Sequence, residues 1–265
     1  MSGRYFRLLC RFAAVSFRDT SEFRLDFFTS VVHYLVYQAL FIVFWKSILG
    51  FTGGALGEWT FPDLVVLTAF TLLATAILQW FEGFEQLSGK VLTGGLDKYL
   101  SKPVSPLFAL LAEELNGVAS AQQLASGVIL LGGVCLYFDI RITLLGTLAS
   151  LALLTLGCLV LTLLRGCLAL LSFWLGDVSR ITQLLNVSND FERYPINLFP
   201  PWLRGFLTWI LPVGLISTFP VLVFVGKTSA AGSFLAIGAV LALVWSAIFA
   251  WTWRHAVARY ESFGG

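Results

Sequence analysis

The chain has 265 residues, of which 58% are hydrophobic and only 12% are charged. A soluble domain carries about 25% charged residues to cover its core, so a mean hydropathy of +0.85 excludes that class. Disorder, a collagen repeat and a small disulfide scaffold are excluded by the same composition, and the sequence predicts an all-α integral membrane protein.

The N-terminal segment, residues 1–25, is basic. Its arginines interrupt any apolar stretch that a signal peptide would need, and they fall on one face of a helix. These residues are Arg4, Arg7, Arg11 and Arg18. The pattern predicts an amphipathic helix in the membrane interface, with its arginines toward anionic headgroups. The alternative is an ordinary basic flank before the first span.

Six stretches without Asp, Glu, Lys or Arg are each roughly 18 to 26 residues long, and about 20 residues suffice to cross the hydrocarbon core. They are Phe27–Trp45, Leu64–Phe81, Leu115–Phe138, Ile142–Leu164, Gly205–Gly226 and Thr228–Trp253. Backbone groups in lipid must form hydrogen bonds within their own segment, so these stretches are predicted to be helices.

The chain between the fourth and the last of these stretches allows two topologies. In the first, residues 165–204 form a cytoplasmic loop and Gly205–Gly226 is the fifth span, although Pro212 and Pro220 interrupt it. In the second, a polar fifth span crosses at residues 178–198, and Gly205–Gly226 is a broken re-entrant hairpin on the outer side. Irregular backbone at membrane depth is tolerated inside protein or beside a water-filled path, so the second topology predicts a translocation function.

Lysine and arginine concentrate in alternate loops. The first 26 residues hold five, the loop of residues 82–106 holds Lys90, Lys98 and Lys102, and the loop of residues 50–61 holds none. Arg254 and Arg259 lie in the C-terminal tail. Because cytoplasmic loops are rich in Lys and Arg, both termini and the loop of residues 82–106 are predicted to be cytoplasmic.

Sequence patterns of nucleotide, metal and catalytic sites are not found. Val225–Thr228 resembles the end of a phosphate loop, but the position that requires glycine is Val221. His33 is predicted to be hydrogen-bonded inside the bundle, and His255 marks the cytoplasmic end of the last span. We expect no metal site, no nucleotide site and no enzymatic activity in this chain.

Two further groups of reactive side chains have structural explanations. Glu113 and Glu114 are adjacent, so their side chains point about 100° apart on a helix and do not converge as an acid/base pair; they are predicted to cap the third span. The cysteines form no CxxC pair and are predicted to be small buried apolar residues. They are Cys10, Cys135, Cys158 and Cys167.

The loop at Gly94–Pro106 has turn residues at both ends and a short helical pattern between them. Leu96, Tyr99 and Leu100 are spaced three and four residues apart, which predicts a one-turn apolar face. The exposed polar residues are predicted to be Asp97, Lys98 and Lys102. A short amphipathic helix of this kind can dock in a groove of a partner, although an ordinary interfacial turn has the same pattern.

At this loop the chain resembles a known family. Leu92–Phe108, with the sequence LTGGLDKYLSKPVSPLF, resembles the signature of ABC-2 type transporter permeases, in which Gly-x-Leu-Asp precedes Pro-(Leu/Val)-Ser-Pro. A second block, at Tyr194-Pro195, Leu211-Pro212 and Phe219-Pro220, is similar to the Tyr-Pro, Ile-Pro and Tyr-Pro spacing of that family before its last span. The resemblance covers nearly the whole chain and points to permeases found with an ATPase and a second, similar permease.

The resemblance implies one ABC-2 type transmembrane domain over residues 1–265. It has six transmembrane helices, an N-terminal amphipathic interfacial helix, a coupling helix after the second span and a re-entrant helical hairpin before the last, which favours the second topology. The implied limits are residues 1–25 for the interfacial helix, residues 27–49, 62–82, 110–138, 142–174, 178–198 and 230–254 for the spans, and residues 200–226 for the hairpin.

The resemblance also implies site residues. The ATPase-coupling residues are Gly95, Leu96, Asp97, Lys98, Tyr99, Leu100, Lys102 and Pro103. The polar residues of the fifth span that face the translocation path are Gln183, Asn186, Asn189 and Asp190. The re-entrant hairpin is marked by Tyr194, Pro195, Pro212 and Pro220.

By resemblance, the chain forms the translocation path of an ATP-binding cassette exporter in the bacterial inner membrane, for a lipidic or amphiphilic substrate. It binds no cofactor, while ATP and Mg²⁺ bind a separate ATPase dimer. A second permease, identical or similar, and membrane lipid complete the partners, with no nucleic acid. The alternative is a secondary carrier or channel without an ATPase, a class that usually shows internal repeats or intramembrane carboxylates.

Overall fold

The computed structural model describes residues 5, 7, 8, 10–12, 24–178, 180, 181, 183 and 190–259. Helices form most of the regular structure in these ranges: α1 (Arg24–Phe51), α2 (Phe61–Leu78), α3 (Gly83–Leu92), α4 (Asp97–Leu100), α5 (Pro106–Glu113), α6 (Gly117–Tyr137), α7 (Leu144–Leu170), α8 (Ser172–Leu175), α9 (Pro201–Trp209), α10 (Val213–Ile216), α11 (Thr218–Phe224) and α12 (Ala231–Arg259). Short 3-10 helices lie at Gln79–Phe81 and Ile196–Leu198. Strands β1 (Ala55–Leu56) and β2 (Trp59–Thr60) pair antiparallel, with Ala55 opposite Thr60.

The predicted all-α membrane class is confirmed. Within the described residues, five helical runs are long and apolar enough to cross a bilayer: Leu25–Phe51, Phe61–Leu92, Gly117–Tyr137, Leu144–Leu175 and Ala231–Arg259. A sixth crossing is counted if Pro201–Trp209 and Val213–Phe224, which are bent by 71° relative to each other, are taken as one span. We call these two segments the bent pair.

The two ends of the bundle differ in the loops that they carry. We call the end with the β1–β2 hairpin the strand end, and the end with the loop between α3 and α5 the lysine end. The Tyr5 and Phe108 rings are in contact at the lysine end, with centroids 4.9 Å apart. Leu171, which follows α7, and Arg259, the last residue of α12, line one pocket at the same end. The three regions predicted to share one side of the membrane therefore lie together.

Burial identifies the central helix and the outward-facing helices. In the most apolar window of the Phe61–Leu92 run, 72% of the residues are buried, because α2 packs on α1, α6 and α7. The corresponding values are 11% for α1 and 17% for α12. Leu40 and Leu243 on these helices are 64% and 72% exposed, which suits contact with lipid or with another subunit.

The bent pair inserts its corner into the core. Proline cannot donate the hydrogen bond that would continue α9, and the chain turns at Pro212. Leu215 and Ile216 beyond the turn are fully buried. Gly157 of α7 permits this approach, since a Cβ there would lie 2.8 Å from the Leu215 carbonyl carbon.

Residues on both sides of the bent pair contact elements near the strand end. After the second leg, the Lys227 Nζ donates a hydrogen bond to the carbonyl oxygen of Glu58, in the β1–β2 turn. Before the first leg, the Tyr194 ring packs on Trp45, near the end of α1, with centroids 5.7 Å apart. A bent pair of this kind is either a broken span or a re-entrant loop, so the choice between the two topologies stays a prediction.

In the predicted fifth span at residues 178–198, positions 179, 182 and 184–189 lie outside the described residues. Its limits stay a prediction. The predicted third span at 110–138 is divided in the structure. Glu113 ends the separate helix α5, and α6 begins at Gly117, with the Asn116 side chain accepting a hydrogen bond from the Ala119 amide at 3.2 Å.

Candidate functional site

The predicted coupling residues form a compact turn between α3 and α5. Gly94 has a φ of +71°, a left-handed conformation that favours glycine, and it reverses the chain after α3. Gly95 follows it closely against the Lys90 backbone. The amide of Leu96 donates a hydrogen bond to the Lys90 carbonyl oxygen at 3.2 Å, and α4 follows. The turn is therefore fastened to α3.

The apolar face predicted for this turn points inward, which corrects the expectation that it projects toward a partner. Leu96 and Tyr99 are 0% and 1% exposed, and they pack in one cluster with Leu87 of α3 and Leu110 of α5. Their burial against their own chain stabilises the turn through the hydrophobic effect. Leu100 stays 38% exposed, so the outward part of the predicted face is this side chain.

Three lysines surround the buried Tyr99 ring. The Nζ atoms of Lys90, Lys98 and Lys102 lie 5.0, 5.7 and 5.3 Å from the ring centroid. Lys90 also donates a hydrogen bond to the Tyr99 hydroxyl. Cation–π attraction of this kind favours the charged lysines at the ring. Tyr99 therefore gathers the three basic side chains of the loop on one surface.

Glu113 and Glu114 complete this lysine cluster. Lys90 pairs with Glu114 and Lys98 with Glu113, each with Nζ and Oε1 2.5 Å apart, and Lys102 lies 3.7 Å from the Glu113 carboxylate. The sequence predicted only a capping role for the two glutamates. Because they are 24 and 15 residues from their lysine partners, no helical spacing rule connects them, and only the adjacency of two acids to a basic loop could have suggested the pairing.

The Lys98–Glu113 pair alters the titration of both groups. The hydrogen bond from Lys98 lowers the pKa of the Glu113 carboxyl group below its ordinary 4.5. The same hydrogen bond raises the pKa of the Lys98 ammonium above its ordinary 10.5. Both groups are charged across the physiological range.

The outward surface of the turn is small, polar and basic. Asp97 is half-buried at the start of α4. Four of the predicted coupling residues are exposed: Lys98, Leu100, Lys102 and Pro103. Ser101, which lies between them, is also exposed. On this surface, residues 98–103, an exposed leucine lies between two lysines above a buried base.

The N-terminal segment contacts the same region. The Ser105 amide donates a hydrogen bond to the Tyr5 hydroxyl oxygen at 3.3 Å. Arg7 and Arg11 are helical and exposed, as an interfacial helix requires. Arg4 and Arg18, which were predicted for the same face, lie outside the described residues.

Two of the four predicted path residues can be located. Gln183 is helical and exposed, and the Asp190 side chain is 74% exposed at 3.7 Å from Arg193 Nε. Asn186 and Asn189 lie outside the described residues. Arg193 was not predicted, yet its guanidinium lies 4.6 Å from the Phe41 ring and stacks against α1. Residues 190–193 therefore place paired charges beside an aromatic face of α1.

The markers of the re-entrant hairpin surround the bent pair. Tyr194 packs on Trp45, and Pro195 is buried directly before the 3-10 turn, whose Ile196 amide donates to the Thr218 hydroxyl at 2.9 Å. The remaining markers are Pro212 at the break and the buried Pro220 in α11.

Lys227, in the rejected phosphate-loop pattern, has a structural partner. The Asp63 Oδ2 accepts hydrogen bonds from the Thr60 amide at 2.6 Å and from the Thr60 hydroxyl and Lys227 Nζ, each at 2.5 Å. The Asp63 side chain is 6% exposed. This strand-end clamp joins the start of α2 to the end of the bent pair, and the Asp63–Thr60 contacts form a capping box.

The structure confirms the predicted burial of three cysteines but not the predicted position of His33. His33 is exposed beside Tyr34, so the expectation of a hydrogen-bonded histidine inside the bundle is wrong. Cys135, Cys158 and Cys167 are buried as predicted, whereas Cys10 is exposed. Among the described residues, no group of His, Cys, Asp or Glu is arranged to hold a metal ion.

Comparison with known proteins gives one family. Residues 35–264 match the family described as ABC-2 family transporter protein. A search of curated proteins gave no significant match. The match includes most of α1, the other membrane-spanning helices, the loop of the lysine end, the bent pair and the strand-end clamp. The chain therefore belongs to the ABC-2 transporter family and is a multi-pass membrane permease of an ABC transporter.

Proposed function

We propose that this chain is the transmembrane subunit of an ATP-driven exporter whose ATPase is a separate subunit that docks at the lysine end. The observation that carries the proposal is the exposed surface of residues 98–103, held on a buried base inside a family that functions with ATPases. ATP and Mg²⁺ bind the ATPase in this proposal, and this chain binds neither.

The fastening of the turn explains how movement of an ATPase would reach the membrane. Leu96 and Tyr99 join the turn to α3 and α5, and α3 continues the Phe61–Leu92 run that forms the centre of the bundle. Lys90 and Glu114 add a polar link between the same elements. Since a bound partner shifts a conformational equilibrium only through contacts that differ between the two states, a rigidly attached docking surface is suited to transmit that difference.

The translocation path is proposed to form with a second permease, identical or similar. α1 and α12 have few buried residues, which leaves their faces for lipid or for another subunit. Gln183 and Asp190 are exposed in the polar segment beside α1. Polar groups next to apolar and aromatic surface suit a lipidic or amphiphilic substrate.

The membrane and orientation follow from the same proposal. The lysine end lies in the cytoplasm of a bacterial cell, together with both termini, and the strand end lies outside the inner membrane. The gathering of Lys90, Lys98 and Lys102 at one end supports this orientation.

Co-purification with the ATPase tests the proposal. The tagged chain is isolated from its host in mild detergent, and the proteins that accompany it are identified by mass spectrometry. The variant Leu100→Asp with Lys102→Glu changes exposed residues of the docking surface, and Arg254→Glu is the matched control on the exposed C-terminal part of α12. We expect a stoichiometric ATPase with the unchanged chain and the control, and a loss of at least severalfold with the double variant.

Two results would contradict the proposal. An ATPase retained by the double variant would exclude the docking surface, and a chain isolated without any ATPase, even after cross-linking, would favour the carrier or channel class. Leu96 and Tyr99 are unsuitable for this test, because charges at these buried positions would unfold the turn.

A further inference from the structure

A small polar cavity lies between the central run, α7 and the segment before the bent pair. Its volume is about 90 Å³, and one water molecule needs about 15 Å³, so several fit. Four of its lining residues are ionisable; Glu85 is exposed, whereas Glu192 is buried. A buried ionisable group is costly in a membrane domain and points to function. The lining residues are Thr75, Leu78, Gln79, Glu82, Glu85, Arg165 and Glu192.

Glu192 is the most deeply placed of these carboxylates. It is 3% exposed, and within the described part of the chain its Oε1 atom has no hydrogen-bond partner. The Oε1 atom of Gln79 is also buried and unpaired there. Two buried acceptors at one cavity require donors, because an unsatisfied buried polar atom carries the full cost of its desolvation. Water supplies such donors.

The charges around the cavity are unbalanced. Three carboxylates, Glu82, Glu85 and Glu192, face one guanidinium, Arg165, which lies 3.9 Å from Glu85. Glu82 accepts a hydrogen bond from the Asn116 side chain at 3.3 Å.

The remaining titratable neighbours do not remove the imbalance. Asp190 and Arg193, on the same segment as Glu192, form an ion pair with each other. The Cys158 thiol, on α7, is directed to the Ala74 carbonyl oxygen. Protonation of one of these carboxylates reduces the excess negative charge.

We propose that this cavity is filled with water and is a proton-binding site, in which Glu192 takes up and releases one proton. A proton passes from cavity water to Oε1 of Glu192, the carboxylate becomes a neutral carboxyl group, and the charge of the four lining groups changes from −2 to −1. The neutral carboxyl group attracts Arg165 less strongly. Since Glu192 precedes Tyr194 by two residues, proton uptake loosens the segment that leads into the bent pair.

Infrared spectroscopy of the purified chain in lipid nanodiscs tests this site without an ATPase or a transport substrate. We expect a carbonyl band of a protonated carboxyl group that grows as the pH is lowered from about 9 to about 5, the range open to a buried glutamate. The band should shift on transfer to heavy water, because its proton exchanges with cavity water. It should be lost in Glu192→Gln and kept in Glu58→Gln, a matched change at an exposed glutamate.

A band that persists in Glu192→Gln, or no such band in the unchanged chain, would overturn the proposal. If Glu192→Gln does not fold, Arg165→Met gives a second measurement. Removal of the guanidinium favours the neutral carboxyl group, so the band should appear at a pH higher by about one unit or more. An unchanged titration in a folded Arg165→Met variant would contradict the proposal, whatever the outcome for the ATPase.

Discussion

The strand-end clamp and the lysine cluster both pair lysine with carboxylate, but they differ in burial and in the charge left over. At the clamp, one buried carboxylate, Asp63, accepts from Lys227 and Thr60, and its charge is matched. At the lysine end, Lys98 and Glu113 are 57% and 32% exposed, and a third lysine lies beside them. The first arrangement fastens two segments of the chain, and the second leaves basic side chains exposed.

The largest loss of stability is expected from Lys227→Met. It leaves the Asp63 carboxylate buried without its counter-ion, which costs about 3 kcal/mol or more. Lys98→Met should cost much less, because solvent screens the charge of this exposed lysine. Thermal unfolding of the two purified variants measures the difference.

The double variant Lys227→Met with Asp63→Asn is the control for this measurement, because it removes both charges of the pair. We expect it to recover most of the lost stability. Equal destabilisation by Lys227→Met and Lys98→Met would show that burial does not distinguish the two ends.

The exposed surface of residues 98–103 rests on buried Leu96. Leu96→Ala removes a fully buried side chain and should cost about 2 to 5 kcal/mol, whereas Leu100→Ala, at an exposed position, should cost about 0.5 kcal/mol or less. Unfolding midpoints in the same detergent test this difference, and similar values for the two variants would refute the inward orientation of Leu96.

The smallest effect is the pH dependence of the Lys98–Glu113 pair. Because the Glu113 pKa is lowered in the fold, its contribution to stability is complete above pH 4.5 and is lost as the pH falls below that value. Because the Lys98 pKa is raised, the contribution is complete below pH 10.5 and is lost as the pH rises further.

The stability difference between the unchanged chain and Glu113→Gln should therefore be constant between these limits and vanish in acid. Unfolding midpoints across the pH range measure it. A difference that grows in acid would contradict the assigned sign.

The sequence predicts the features of this fold that lipid imposes. Long uncharged stretches must become helices in a bilayer, and Pro212 interrupts one of them visibly, so the helices and the break were predictable. The orientation of a four-residue helix was not, because periodicity places Leu96, Tyr99 and Leu100 on one face but does not say which of them the chain itself covers. Burial by α3 and α5 decides that, and it is a property of the folded chain.

Pairings between residues that are distant in the chain could not be predicted from the sequence either. Asp63 and Lys227 are 164 residues apart, and Lys227 stood in a pattern that suggested phosphate binding. Glu192 lies in the predicted polar fifth span, and no sequence pattern marks it as buried. Its burial depends on contacts that form when α7, the central run and the segment before the bent pair assemble.

The distribution of thiols gives the chain a built-in probe of its orientation. Cys10 is exposed while Cys135, Cys158 and Cys167 are buried. A membrane-impermeant maleimide should therefore label the folded protein at Cys10, without any engineered cysteine. In intact cells the label should be excluded if the N terminus is cytoplasmic, and it should react once the membrane is made permeable. Cys10→Ser should remove the signal, so the native chain reports which side of the membrane its lysine end occupies.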